Sequence, residues 1–163
     1  MALTMLNIGI LAIVAAFQAG ALTITRASRT ATASTVADKQ MELFRALPFG
    51  CIYENSPPSD TTYTGDAAYD ATFGITSGTS CSSTPPNASV TAAAADHHSY
   101  RTDTFVAWTC TSANPGGSGA NPTCPSGSGR PLKKVTVVVR DASGRNAGRE
   151  LVRESSTFDA AYG

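Results

Sequence analysis

Charge is scarce in this chain of 163 residues: Asp, Glu, Lys and Arg make up 15%, and the 12 acidic side chains cancel the 12 basic ones. A chain so sparsely and evenly charged builds no field that gathers phosphate backbones, so no nucleic-acid partner is expected. Aromatic residues are few at 7%, with a single Trp. Any globular part therefore has a modest core that gains from covalent cross-links. There is no G-x-S-x-G elbow, phosphate-binding loop, dinucleotide fingerprint or zinc-protease helix. Only two histidines exist to act as a base. The chain is accordingly read as no enzyme, with no cofactor, no metal and no small-molecule substrate.

Two further absences are local. No charged side chain occurs from Met1 to Thr25, and neither Gly nor Pro occurs from Arg26 to Leu47. The first lets a helix lie in hydrocarbon, since about 20 apolar residues cross a bilayer core of about 30 Å. The second lets that helix run on, and Pro48 and Gly50 then end it. Beyond the span, Ala33, Val36, Ala37, Met41, Phe44 and Leu47 recur at steps of three and four, while Asp38, Lys39, Glu42 and Arg45 lie mostly elsewhere. That spacing makes the second half amphipathic, with one face for a protein core. A cleaved signal peptide fits less well, because no basic residue precedes the apolar run and the run exceeds the usual length. Within the span, Ala12, Ala16 and Gly20 repeat every four residues. Such a stripe of small residues lets helices approach closely where packing replaces the hydrophobic effect, so it is the candidate assembly face.

The four cysteines, Cys51, Cys81, Cys110 and Cys124, are widely spaced, with no C-x-x-C pair and no zinc-like arrangement of histidines. Two disulfides are expected, which places the region from Cys51 onward outside the cytoplasm. Four cysteines allow three pairings. The expected one joins Cys51 to Cys81, fastening the helix end to the middle loops, and Cys110 to Cys124, tying the base of a Gly/Ser/Pro-rich segment. Arg26 and Arg29 just after the span argue for the opposite orientation by the positive-inside tendency, but two basic residues weigh less than four cysteines.

After Gly50 the composition shifts to Ser, Thr, Gly, Pro and Asp, with turn signals at Ser56-Pro57-Pro58-Ser59 and Thr84-Pro85-Pro86-Asn87. Three strands are expected, at Arg101 to Cys110, Lys133 to Asp141 and Arg149 to Phe158, rich in β-branched residues and forming an antiparallel meander. The fold class is thus α+β: a long N-terminal helix packed through its Met41, Phe44 and Leu47 stripe on a small antiparallel sheet. Residues 1–25 form the membrane half of the helix, 26–49 its amphipathic half, and 50–163 the disulfide-bearing domain.

On the stretch ALTMLNIGILAIVAA from Ala2 to Ala16 and the stretch ADKQMELFRALPF from Ala37 to Phe49, the chain resembles the type IV pilin-like and pseudopilin proteins, in particular minor-pilin-like subunits. The resemblance implies a helix whose first half sits in the membrane and later in a filament core, while the second half packs on a β-sheet. It implies partners that are other pilin-like subunits, an origin in the cytoplasmic membrane, and a place at the cell surface after assembly. The family's basic leader, its glycine before the cleavage point and its glutamate at the fifth mature position are not in the sequence. Aligning Ile8-Gly9 with the family puts Met1 near the eighth mature position, so the native start is expected upstream. The contrasting expectation is a membrane-anchored extracellular binding or adhesion module that does not polymerise.

Three remaining clusters are read as ordinary surface. Asp96, His97 and His98 could bind a metal or move a proton, yet adjacent histidines diverge and their neighbours are loop residues. Asp60, Asp66 and Asp70 miss the spacing of a calcium loop and are read as solvated turn residues. Asn87-Ala88-Ser89 matches the glycosylation triplet, which arises often by chance.

Overall fold

The computed structural model describes residues 2–71, 81, 83–110 and 131–159. Helix α1, Ala2–Arg45, is continuous over 44 residues, a length of about 66 Å. Its uninterrupted course follows from the absence of proline, and its threonine hydroxyls find their partners within the helix. Thr23, Thr25, Thr30, Thr32 and Thr35 each donate to the carbonyl four residues back, at 2.9 to 3.1 Å. These polar side chains thereby satisfy themselves without a partner element. The chain then turns at Pro48 into a single 3-10 turn, Phe49–Cys51.

The sheet is a four-stranded antiparallel meander in the order β1-β2-β3-β4. Its strands are β1 (Ser89–Ala93), β2 (Ser99–Cys110), β3 (Pro131–Asp141) and β4 (Glu150–Asp159). The three strands expected from sequence are β2, β3 and β4, within two residues at each end. The register pairs Val106 with Val135 and Thr104 with Val137, so the β-branched residues of the two central strands face the same side.

Both faces of these central strands are covered. Ala33, Ala37, Met41 and Phe44 of α1 pack on one face, against Tyr100, Val106, Val135, Val137 and Val139. This is the α+β arrangement expected, and the amphipathic stripe is the seam. Leu47 and Val36 lie at its edge, partly buried. The other face carries a second core of Tyr63, Ala88, Phe105 and Val138. It is supplied by the segment after the 3-10 turn, which includes the short helix α2, Thr61–Thr64, capped by Asp60 accepting from the Thr62 and Tyr63 amides. Tyr63 is fully buried, and its hydroxyl donates to the Thr104 carbonyl at 2.7 Å.

Strand β1 is short and pairs with β2 only as far as Asp103. Past that point other groups take the place of a strand. The Thr104 amide donates to the Ala88 carbonyl at 2.7 Å, and the Val106 amide donates to the Glu54 carboxylate at 2.9 Å. Glu54 is 5% exposed. Burial raises its pKa, and the amide bond opposes that shift. A side chain thus satisfies strand backbone that would be an open edge.

Candidate functional site

The two halves of α1 occupy different surroundings. Its apolar half, from residue 9 onward, is exposed: Leu11, Phe17, Leu22 and Ile24 are 69%, 77%, 61% and 72% accessible. Among the described residues this is the one helix long and apolar enough to cross a membrane, and none of its most apolar stretch is buried. A solvent-facing run of large apolar side chains on that scale calls for lipid or another protein. Ala12, Ala16 and Gly20 all lie on this exposed part. Ala16 and Gly20 line a shallow apolar groove with Ile13, Phe17, Ala21 and Ile24. A Cβ added at Gly20 meets nothing within 4 Å, so the glycine is not required by the chain's own packing.

The junction between helix and sheet is fixed three ways. Cys51 and Cys81 form a disulfide across 30 residues of chain, the pairing expected from sequence. Closing a loop of that length contributes about 3 to 4 kcal/mol in the chain-entropy account. Cys110 is also disulfide-bonded, while Cys124 lies outside the described residues. Second, the ammonium of Lys133 on β3 donates to the carbonyls of Phe49 and Ile52 at 2.8 and 2.7 Å. Third, it sits 4.8 Å from the Phe49 ring centroid and 5.3 Å from that of Trp108. Burial pushes Lys133 down to about 8, and the two carbonyls and two ring faces help keep it charged at neutral pH.

That environment has a measurable pH signature. Because the folded value lies below the ordinary lysine value of 10.5, the unfolded chain binds more protons between the two, and stability rises with pH across that window. The urea midpoint of the detergent-solubilised protein is expected to increase from about pH 7.5 to about pH 9.5, with the slope lost in Lys133→Met. A flat wild-type profile would contradict the buried-ammonium account. Tyr63 and Tyr100 do not contribute to the slope in this window, since both are raised by burial, with Glu54 and Asp96 respectively adding to the shift.

No protein-family model, curated protein or solved structure matches this chain. One reading of the acidic clusters needs correction. Asp66 is not a solvated turn residue: its side chain is 2% exposed and pairs with Arg140 and, at 2.9 Å, with Arg153. Arg140 in turn faces the buried Asp103, which accepts from Arg101 at 2.8 Å and from Ser89 at 2.6 Å. Arg101 then reaches Asp60 at 2.8 Å. These charges link the 55–71 segment to the outer face of the sheet. Sequence reading missed the set because its members lie far apart in the chain, and only charged residues inside strand candidates (Asp103, Arg140) hinted at it.

The histidines do diverge. His97 is exposed, with φ of 61°. His98 is half-buried, and its Nε2 accepts from the Arg29 guanidinium at 3.1 Å. The acceptor role is forced, since arginine only donates. Asp96 accepts from the His98 amide at 3.1 Å and from the Tyr100 hydroxyl, so it organises the β1–β2 turn. No group of three or more His, Cys, Asp or Glu is placed to hold a metal among the described residues. Asn87 is exposed, and its side chain accepts from Asn55 at 3.1 Å.

Proposed function

We propose that this protein is a structural subunit of a type IV pilus-like or pseudopilus-like filament, held in a membrane by the first half of α1 and assembled through that same half. The observation that carries the reading is the division of one continuous helix between a half that buries one face on the sheet and an apolar half that is exposed from residue 9 onward. The exposed half answers two needs in turn: hydrocarbon before assembly and neighbouring helices after it. The resemblance of Ala2 to Ala16 and Ala37 to Phe49 to pilin-like sequences supports the same reading. The disulfides of the domain agree with an extracytoplasmic location.

Gly20→Leu tests the assembly role with little cost to the monomer, because open space surrounds the position. The variant is expected to insert normally in the membrane and to disappear from the filaments released by shearing, since a branched side chain holds the helices apart. Recovery of the variant in sheared filaments at the wild-type level would remove the stripe from the mechanism. Retention of the wild-type protein in the membrane fraction after shearing would favour an anchored surface module that does not polymerise.

A further inference from the structure

We infer that the domain rests on the membrane surface through a site for the headgroup of an anionic phospholipid, formed where the β3–β4 turn meets helix α1. The inference rests on the reading that the apolar half of α1 spans a bilayer. The uncharged run ends at Thr25, so Arg26 stands where hydrocarbon gives way to headgroups, and Arg29 follows about 4.5 Å higher. At this level the sheet returns to the helix. A crevice of about 290 Å³ is lined by Leu22, Arg26 and Arg29 from the helix and by Asp141, Arg149 and Leu151 from the hairpin. Leu22 belongs to the apolar run, so the hairpin reaches down to the membrane boundary.

The electrostatics of the crevice are unbalanced. Three guanidinium groups face one carboxylate, Asp141, which lies 3.8 Å from Arg29. Neither Arg26 nor Arg149 has an ion pair among the described residues, and both are exposed. The Arg29 guanidinium is held in the crevice wall by His98 at 3.1 Å and by Asp141, which leaves Arg26 and Arg149 as the free donors. A phosphate accepts from several guanidinium forks at once. The apolar walls, Leu22 and Leu151, suit the first methylenes of a lipid rather than a free ion. A helix-borne arginine alone is a common interfacial anchor; here the sheet delivers Arg149 to the same place, which fixes how the whole domain leans.

The test uses the full chain in nanodiscs of phosphatidylcholine alone or mixed with phosphatidylglycerol, following amide hydrogen exchange of residues 142–149. Slower exchange in the anionic discs is expected, with the lipid preference falling about fivefold for each arginine removed in Arg149→Gln and in Arg26→Gln/Arg149→Gln. Both positions are exposed, and unchanged exchange in β2 and β3 verifies the fold of each variant. Equal exchange in the two kinds of disc, with the chain inserted in both, would overturn the headgroup site and leave the membrane span standing. The same slowing produced by inorganic phosphate in phosphatidylcholine discs would overturn the lipid assignment in favour of a free anion. Release of the chain from both discs by alkaline carbonate would remove the membrane span, and the inference with it.

Discussion

Replacing Asp66 with alanine is expected to cost about 3 kcal/mol of stability near neutral pH, because it leaves two arginines on the sheet without their shared carboxylate. The estimate takes the lower end of the range for broken buried pairs. Arg153 is one-third exposed and keeps Glu150 at 2.7 Å, and Arg140 keeps Asp103 at 3.3 Å. The pH dependence gives a sharper check. Burial alone would raise the Asp66 carboxyl, but the Arg153 hydrogen bond, the Ala68 amide and the two guanidinium charges outweigh it and hold it below 3.8. A depressed carboxylate contributes its stability in full above the unfolded value, and loses it as pH falls through the folded one. Wild type and Asp66→Ala should therefore differ in urea midpoint at about pH 7 and converge at about pH 2. A difference that persisted undiminished in acid would mean that the loss comes from packing.

Truncating Phe44 to alanine should be the most damaging change on the helix, at about 3 to 5 kcal/mol. Its side chain is fully buried. The remaining buried apolar contributions of α1 to that core are Ala33, Ala37 and Met41, two of which have almost no side chain to lose. The alanines let the helix lie close to the sheet, and Phe44 fills the space where it leaves. Denaturant unfolding of Phe44→Ala in the same detergent reads the cost directly. A loss under about 1 kcal/mol would show that the site collapses around the smaller residue.

How much of this was legible in the sequence depends on how local the signal was. Helix α1 announced itself through a run with no Pro before position 48 and no Gly from Ala21 to Leu47, and β3 through Val135, Val137, Val138 and Val139. Strand β1 was not foreseen. Its five residues, SVTAA, sit between a proline pair and an alanine run, too short to display alternation. Nor was the second core foreseen. The alternation of Thr102, Thr104, Val106 and Trp108 with Asp103, Phe105, Ala107 and Thr109 predicts two unlike faces for β2, yet Thr102 through Val106 are all buried, because the loop-rich segment folds back over the side away from α1. Tyr63 and Phe105, their ring centroids 4.5 Å apart, are 42 positions distant in the chain, and no period connects them. The candidate assembly residues follow the same logic. Ala12, Ala16 and Gly20 were visible as a repeat, whereas the Arg26, Arg29 and Arg149 crevice exists only once the hairpin has returned to the helix.

The close bonding around Phe49 and Ile52 has a mechanical corollary. A pull on the domain along the axis of α1 does not first open a hinge, since Lys133 and the Cys51–Cys81 bridge clamp the turn on which a hinge would form. The load passes instead to the face from Ala33 to Phe44, about 17 Å of helix, whose contacts are strained together in shear rather than peeled one after another. Tension borne by the helix is thereby shared with the sheet over several turns.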